Sequence, residues 1–474
     1  MNRFLGIVLF LTFSLSLFGR DISGVVDSDG KGLKNVVVTD GFNFTQTNEN
    51  GVFKLNVSTE SEFVYIFIPS GYRAVAKEGI SQFFKRIDQQ SDNLHFELNK
   101  IPDCNKYVLI AVGDPQTKTL EQYNIFEQTV ISDLKSTIDG YIKKNVIPVT
   151  VYLGDVVWDN MKLFDNHKQG ISKLGTPVYS AIGNHDYQKE LIGDTNCGKA
   201  FGNCFGPAYY GFVLGKNYVI VLDNIIYNTN KQYIEDVSQS QIEWLKGYLK
   251  FVPKDAEIFI VMHAPVNKPW IDNYKLSLGH QQIMNILSGY KLSFITGHTH
   301  INNNLDIIPG VMEHNVASSC GAFWKSFYCM DGTPSGYQIF EFNENECSWY
   351  FKTIGKDRSY QMELYKPGSF SNMSDAVVAK VWNWDPLWKV EWFGNGKYMG
   401  EMKQFKSTDP KYISDMEKLI EKGKLTRQEF EKANYLKPRL SQFFFAAFPL
   451  KGIREIKVVV TDRFGNTYND IILN

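Results

Sequence analysis

The chain has 474 residues, 43% of them hydrophobic and 21% charged, with a formal net charge of -1. That length holds roughly three domains of about 150 residues each, which excludes a single-domain protein. The near-neutral balance excludes the basic footprint of a nucleic-acid binder, so no specific nucleic-acid partner is expected and partners must be sought in particular sites.

At the start, Met1-Asn2-Arg3 precedes an apolar stretch from Phe4 to Phe18, and Gly19 leads into Arg20-Asp21. This is the layout of a secretory signal peptide, over residues 1–19, and it is short of the about 20 residues a membrane span needs. A periplasmic or secreted protein is expected, with no transmembrane segment after signal removal. From 20 to 100 short strands alternate with turns, as in Ile22–Val26, Val36–Val38 and Val52–Leu55, each bounded by Asp, Asn, Ser or Gly. The pattern predicts a small β-sandwich. It resembles the carboxypeptidase regulatory-like domains that precede many secreted bacterial enzymes, which implies a spacer or docking module.

From 101 to 355, five strand-forming runs each end in a polar cluster. Lys106–Val112 runs into Gly113-Asp114-Pro115-Gln116, Val149–Leu153 into Gly154-Asp155, and Val178–Ile182 into Gly183-Asn184-His185-Asp186. Ile258–Met262 runs into His263, and Leu292–Thr296 into Gly297-His298-Thr299-His300. In a sheet covered by helices, ligands gather beyond the carboxyl ends of the strands, so these clusters face one crevice. Between the runs, Leu120 to Lys144 carries one apolar face, and Ser240–Leu249 reads as a serine-capped helix. Strands alternating with helices make this an α/β domain.

From 356 to 474 the texture changes to aromatic-rich strands around Val381–Phe393, a charged helix from about Asp409 to Lys432, and a hairpin pairing Val458–Thr461 with Tyr468–Ile472. This predicts an α+β domain, with Trp382, Trp384, Trp388 and Trp392 as a sandwich core. Six cysteines fit disulfides in an oxidising compartment. The local expectation is Cys197 with Cys204 and Cys320 with Cys329, which leaves Cys104 for Cys347. The Gly-rich gap from Tyr187 to Tyr210 then reads as a stapled loop beside the crevice.

The five clusters, in this order and at these intervals, resemble the calcineurin-like metallophosphoesterases. GDPQ, GD, GNHD, MHAP and GHTH are weak singly and specific together; Phe205–Phe212, Val221–Asp223 and Asp331–Tyr337 resemble the same family. With its flanking regions the chain looks like the three-domain secreted bacterial subgroup. The resemblance implies a metallophosphoesterase-type β-sheet sandwich flanked by helices. It also implies two divalent metal ions, the first held by Asp114, Gln116, Asp155 and His300 and the second by Asp155, Asn184, His263 and His298, with Asp155 bridging.

A metal-bridging hydroxide would attack the phosphorus of a phosphomonoester or phosphodiester while the ions hold the remaining oxygens. His185 would stabilise the transition state or protonate the leaving oxygen, and Asp186 would orient it. The family more often has histidine where Gln116 stands. An amide oxygen is harder than an imidazole nitrogen, which favours Mn or Fe, or Mg, over Zn. The substrate is a phosphoester small molecule, a lipid headgroup or a phosphosugar; monoester against diester and oligomeric state stay open. The alternative is a non-catalytic surface or glycan-binding protein that keeps the core as a scaffold.

Single residues argue less. A lone Asp or Asn after a strand is ordinarily a turn former or helix cap, and the strength lies in the set. His95, His167, His280 and His314 are expected as surface or core residues, and Asp159 and Asp223 as structural ones. Trp158 and Phe323-Trp324 wall the crevice or pack the core.

Overall fold

The structure is a computed structural model that describes residues 19–87, 92–102, 105–229, 232–269, 271, 273–343 and 346–473. The signal-peptide expectation and Cys104 lie outside them. Among the described residues no helix is long and apolar enough to cross a membrane.

Two sheets face each other at the centre. In the first, Lys106–Val112, Ile147–Tyr152 and Val178–Ser180 run parallel, and Gly336–Asn343 and Glu346–Thr353 extend it antiparallel. In the second, Asn217–Val221, Glu257–Val261, Lys291–Thr296 and Val311–Asn315 run parallel, flanked by antiparallel Tyr210–Leu214 and Asn303–Ile308. Strand alternation explains the layering. Tyr107, Leu109 and Ala111 point between the sheets toward Val219, Phe259 and Val261. Val108, Ile110 and Val112 point outward, where Tyr123, Phe126, Leu134 and Ile138 of the expected helix cover them.

That helix runs from Leu120 to Ile142 and holds a π turn at Glu127–Ile131. The serine-capped helix is Gln239–Tyr248, and its cap is Ser238 rather than Ser240. The gap after Tyr187 is not a stapled loop. It contains the helix Asp194–Phe205, and Cys197 and Cys204 on it are free. Seven residues along a helix is about 10 Å of rise, beyond the reach of a disulfide. Cys320 and Cys329 are free as well. Ser318 engages both, donating to Cys320 Sγ at 2.9 Å and accepting from Cys329 Sγ at 3.7 Å. Cys347 is also free.

The N-terminal region packs two small sheets together, and its strand Ile80–Ser81 lies parallel to Val178 on the edge of the first central sheet. Phe67 stacks on Trp244 and Tyr248 of the second layer, with Phe67 and Tyr248 ring centroids 3.6 Å apart, and Phe44 lies tilted against Trp244. The C-terminal region has two four-stranded sheets, the hairpin Glu455–Thr461/Thr467–Leu473, and two helices, Pro410–Glu421 and Arg427–Lys432, where one was expected. Trp388 and Trp392 are buried in that sandwich core with Trp384 packed against it, whereas Trp382 is buried in the central core instead. A buried lysine fastens this region to the centre: Lys380, whose Nζ lies 3.7 Å from Asp409 within the region, donates to the carbonyl of Asp331.

Candidate metal centre

The polar clusters sit where the strands end. Asp114 and Gln116 follow Lys106–Val112, Asp155 follows Ile147–Tyr152, and Asn184, His185 and Asp186 follow Val178–Ser180. From the other sheet, His263 follows Glu257–Val261, and His298 and His300 follow Lys291–Thr296. The backbone turns sharply at these points, with φ 43° at Asp114, 42° at Gln116, 48° at Asp155, 70° at His298 and 53° at His300. Each such left-handed residue costs on the order of 1 kcal/mol or more, and strain of this kind collects at functional sites. Two glycines allow the turns to approach. A Cβ on Gly154 would lie 2.6 Å from His263 Nδ1, and one on Gly183 would lie 2.3 Å from Asp155 Oδ1.

The side chains converge. His263 Nε2 is 3.0 Å from Asn184 Oδ1, 3.3 Å from Asp155 Oδ1 and 3.1 Å from His298 Nδ1. One ligand atom each from Asp155, His263 and His298 falls within a 4.8 Å spread. On the other side of Asp155, Gln116 Nε2 donates to Asp155 Oδ2 at 2.9 Å, and His300 Nε2 is 3.6 Å from Asp114 Oδ1. The amide of His298 donates to the Asp114 carboxylate at 3.0 Å. The seven residues named as ligands therefore occupy one buried crevice.

Three features of the donor set fit divalent cations. Each imidazole spends one nitrogen on a fixed acceptor: His263 Nδ1 on the carbonyl of Leu153 at 2.8 Å, His300 Nδ1 on that of Gly321 at 3.3 Å, and His298 Nε2 on Glu235 Oε1 at 3.5 Å. That leaves His263 Nε2, His300 Nε2 and His298 Nδ1 aimed at the carboxylates, the arrangement that outer partners impose on metal-binding histidines. Gln116 Oε1 is buried with no hydrogen-bond partner among the described residues, and such an acceptor calls for a cation or proton donor. Third, the charges are paired for exchange. Burial opposes charge on Asp155, yet His263 beside it holds the carboxyl well below the usual range. Burial equally opposes charge on His263, and Asp155 pushes it up to about 9. Metal binding to these groups would displace protons.

His185 lies at the mouth of the crevice. Its amide donates to Asp155 Oδ1 at 2.8 Å, and its Nδ1 lies 2.8 Å from Asp159 Oδ1, not from Asp186. Asp159 also pairs with Lys189 at 2.5 Å; burial opposes its charge, but the bonds from His185 and Lys189 hold its carboxyl below the ordinary range. The expectation that Asp186 orients His185 is corrected here. Asp186 is fully buried and accepts three backbone amides, Val156 at 3.2 Å, Val157 at 3.1 Å and Gly183 at 3.0 Å, so it locks the Asp155 turn to the Asn184 turn.

Sequence reasoning missed Glu235, which comes from the hairpin Ile225–Thr229/Gln232–Glu235, and Lys189, and it took Asp159 as structural. Only the spacing of Asp159 and Lys189 around GNHD offered a signal. Trp158 lies against His185 with ring centroids 5.4 Å apart, and Phe323 stacks on His300 at 4.5 Å. Both belong to the crevice wall. His167, His280 and His314 are buried away from the ligand set, and His95 is an exposed partner of Asp27.

Family models account for nearly the whole chain. The one described as calcineurin-like phosphoesterase matches residues 97–302, the N terminal of calcineurin-like phosphoesterase matches 20–101, and the C terminal matches 313–468. The chain belongs to the calcineurin-like phosphoesterase family. Among solved structures, this family member is similar to a dimetal phosphatase from Danio rerio, at 14% identity over 52% of this chain and 96% of that one, with a TM-score of 0.35. It is also similar to a purple acid phosphatase from yellow lupin (Lupinus luteus) seeds, at 10% identity over 68% and 67% with a TM-score of 0.37. A 5'-nucleotidase precursor from Thermus thermophilus is similar at 12% identity, over 52% of this chain and 54% of that chain, with a TM-score of 0.32. No protein of curated function matches the sequence.

Proposed function

We propose that the chain is an exported, metal-dependent phosphoric ester hydrolase acting on a phosphomonoester or phosphodiester. One observation carries this: ligand side chains from the ends of five strands in two sheets meet in a buried crevice, with every imidazole already oriented by an outer acceptor. Asp114, Gln116, Asp155 and His300 would hold one cation, and Asp155, Asn184, His263 and His298 the other. Bound there, divalent cations would activate water and neutralise phosphoryl oxygens.

The protein's own groups do the rest. Asp155 sits between both ligand sets and keeps them in register. His185 is fixed through Nδ1 by Asp159, which leaves Nε2 to give a proton to a leaving oxygen. Trp158 and Phe323 limit water there. Gln116 contributes a hard amide oxygen, which supports manganese or iron over zinc.

The test is hydrolysis of p-nitrophenyl phosphate and bis(p-nitrophenyl) phosphate with manganese, beside Asp155→Asn. Manganese-dependent turnover lost in the variant supports the proposal, and equal rates for both proteins refute it. The apolar leader supports export, checked by whether the mature protein from cells begins near Arg20.

A further inference from the structure

Three aromatic rings from distant parts of the chain meet at the rim of the crevice. Trp158 follows the Asp155 turn, Phe323 follows the second sheet, and Tyr435 sits on the short turn Asn434–Leu436 of the C-terminal region. Their ring centroids lie 4.9 Å (Trp158 to Phe323), 5.5 Å (Trp158 to Tyr435) and 5.0 Å (Phe323 to Tyr435) apart. Through Trp158 the cluster touches His185, and through Phe323 it touches His300. It therefore spans the rim of the crevice from His185, the group proposed to protonate a leaving oxygen, to His300.

Phe323 is buried with Met330, Tyr412 and Leu436, and Trp158 packs against the same group. Phe323 and Trp324 both have left-handed backbones, with φ 55° and 62°, an outlier for bulky residues of the kind that collects at functional sites. Tyr435 stays 44% exposed although two rings flank it, so aromatic surface remains open at the rim. The turn that carries it is firmly held: Leu436 is buried, and its carbonyl accepts from Tyr412 at 2.5 Å. Lys118 Nζ lies 5.1 Å from the Trp158 ring centre, and a cavity of about 490 Å³ beside Tyr435 is lined by Lys325, Lys424 and Lys432 together with Glu429. Cations flanking an open aromatic surface suit a planar group attached to an anion.

We infer that Trp158, Phe323 and Tyr435 form a leaving-group subsite that takes a planar aromatic moiety, as in an aryl or nucleoside phosphoester. The C-terminal region thereby helps select the substrate. The inference rests on the phosphoesterase reading, and a binding measurement separates the two. Manganese-loaded protein is titrated calorimetrically with phenylphosphonate and with methylphosphonate. Stacking predicts about tenfold tighter binding of the phenyl compound. Tyr435→Ala and Trp158→Ala are each expected to bring that ratio within about threefold, while Tyr435→Phe keeps it.

Equal affinities in the wild type, or a preference that survives both alanine substitutions, would overturn the inference. The same proteins are then assayed on phenyl phosphate and ethyl phosphate. Turnover of both with no phenyl preference in binding sinks the subsite and spares the hydrolase. Preferential binding without turnover of either, or of bis(p-nitrophenyl) phosphate, sinks the hydrolase and leaves the aromatic subsite standing.

Discussion

Replacing Asp186 by alanine should unseat the metal centre without touching a ligand. The Asp186 carboxylate takes the amides of Val156, Val157 and Gly183 and is fully buried, so alanine leaves three N–H groups dry and unpaired. Each such group costs about 1–3 kcal/mol, and with partial relaxation the sum is about 3–6 kcal/mol. For a domain of this size that lowers Tm by roughly 6–24 °C. Because those amides belong to the turns carrying Asp155 and Asn184, manganese affinity should fall as well.

Asp159→Ala is the matched control. Asp159 has a side chain 42% exposed and holds His185, so its loss should cost under about 1 kcal/mol of stability, while lowering kcat and altering its pH profile. Differential scanning calorimetry and manganese titration compare the two variants. If Asp186→Ala keeps the wild-type Tm and manganese affinity while shifting the pH profile, Asp186 orients His185 after all and the account of the turns is wrong.

Other outcomes follow from neighbouring contacts. Glu235→Gln weakens the acceptor that fixes His298 and should reduce manganese affinity roughly 10–100-fold, read by calorimetry; unchanged affinity would remove Glu235 from the site. Lys380→Met leaves the buried Asp409 without its cation and should destabilise the protein by about 3 kcal/mol, seen as a lower Tm. Burial pushes Glu313 up to about 7, against about 4.3 in an unfolded chain. The folded protein then holds a proton that the unfolded chain has released, so this contribution is complete below about pH 4.3 and is lost as pH rises toward 7. It amounts to about 3–4 kcal/mol, and Glu313→Gln should flatten that part of the Tm–pH curve relative to the wild type.

What the sequence made legible was whatever depends on neighbours in the chain. Five apolar runs ending in Asp, Asn and His marked the strand ends, and a buried strand has to put those residues at one edge. The Leu120–Ile142 helix and the terminal hairpin were readable because their periodicities are local. Glu235 was not, since nothing near it in the chain tells that its hairpin folds over His298. Asp159 and Asp186 look alike as acids beside the motif, and only the three amides aimed at one of them separate their roles. The pairing of Cys197 with Cys204 failed for the same reason: their nearness in the chain suggested a closed loop, whereas Asp194–Phe205 is a helix that holds its thiols two turns apart. Tyr435 lies more than a hundred residues from its ring partners and has no local pattern at all.

The central claim is that Asp155 joins two cation sites in one crevice. Metal analysis of manganese-loaded protein, with Asp155→Ala beside it, tests this most directly. The account predicts two manganese ions per chain in the wild type and the loss of both in the variant. One ion or none in the wild type, or two retained by Asp155→Ala, would contradict it.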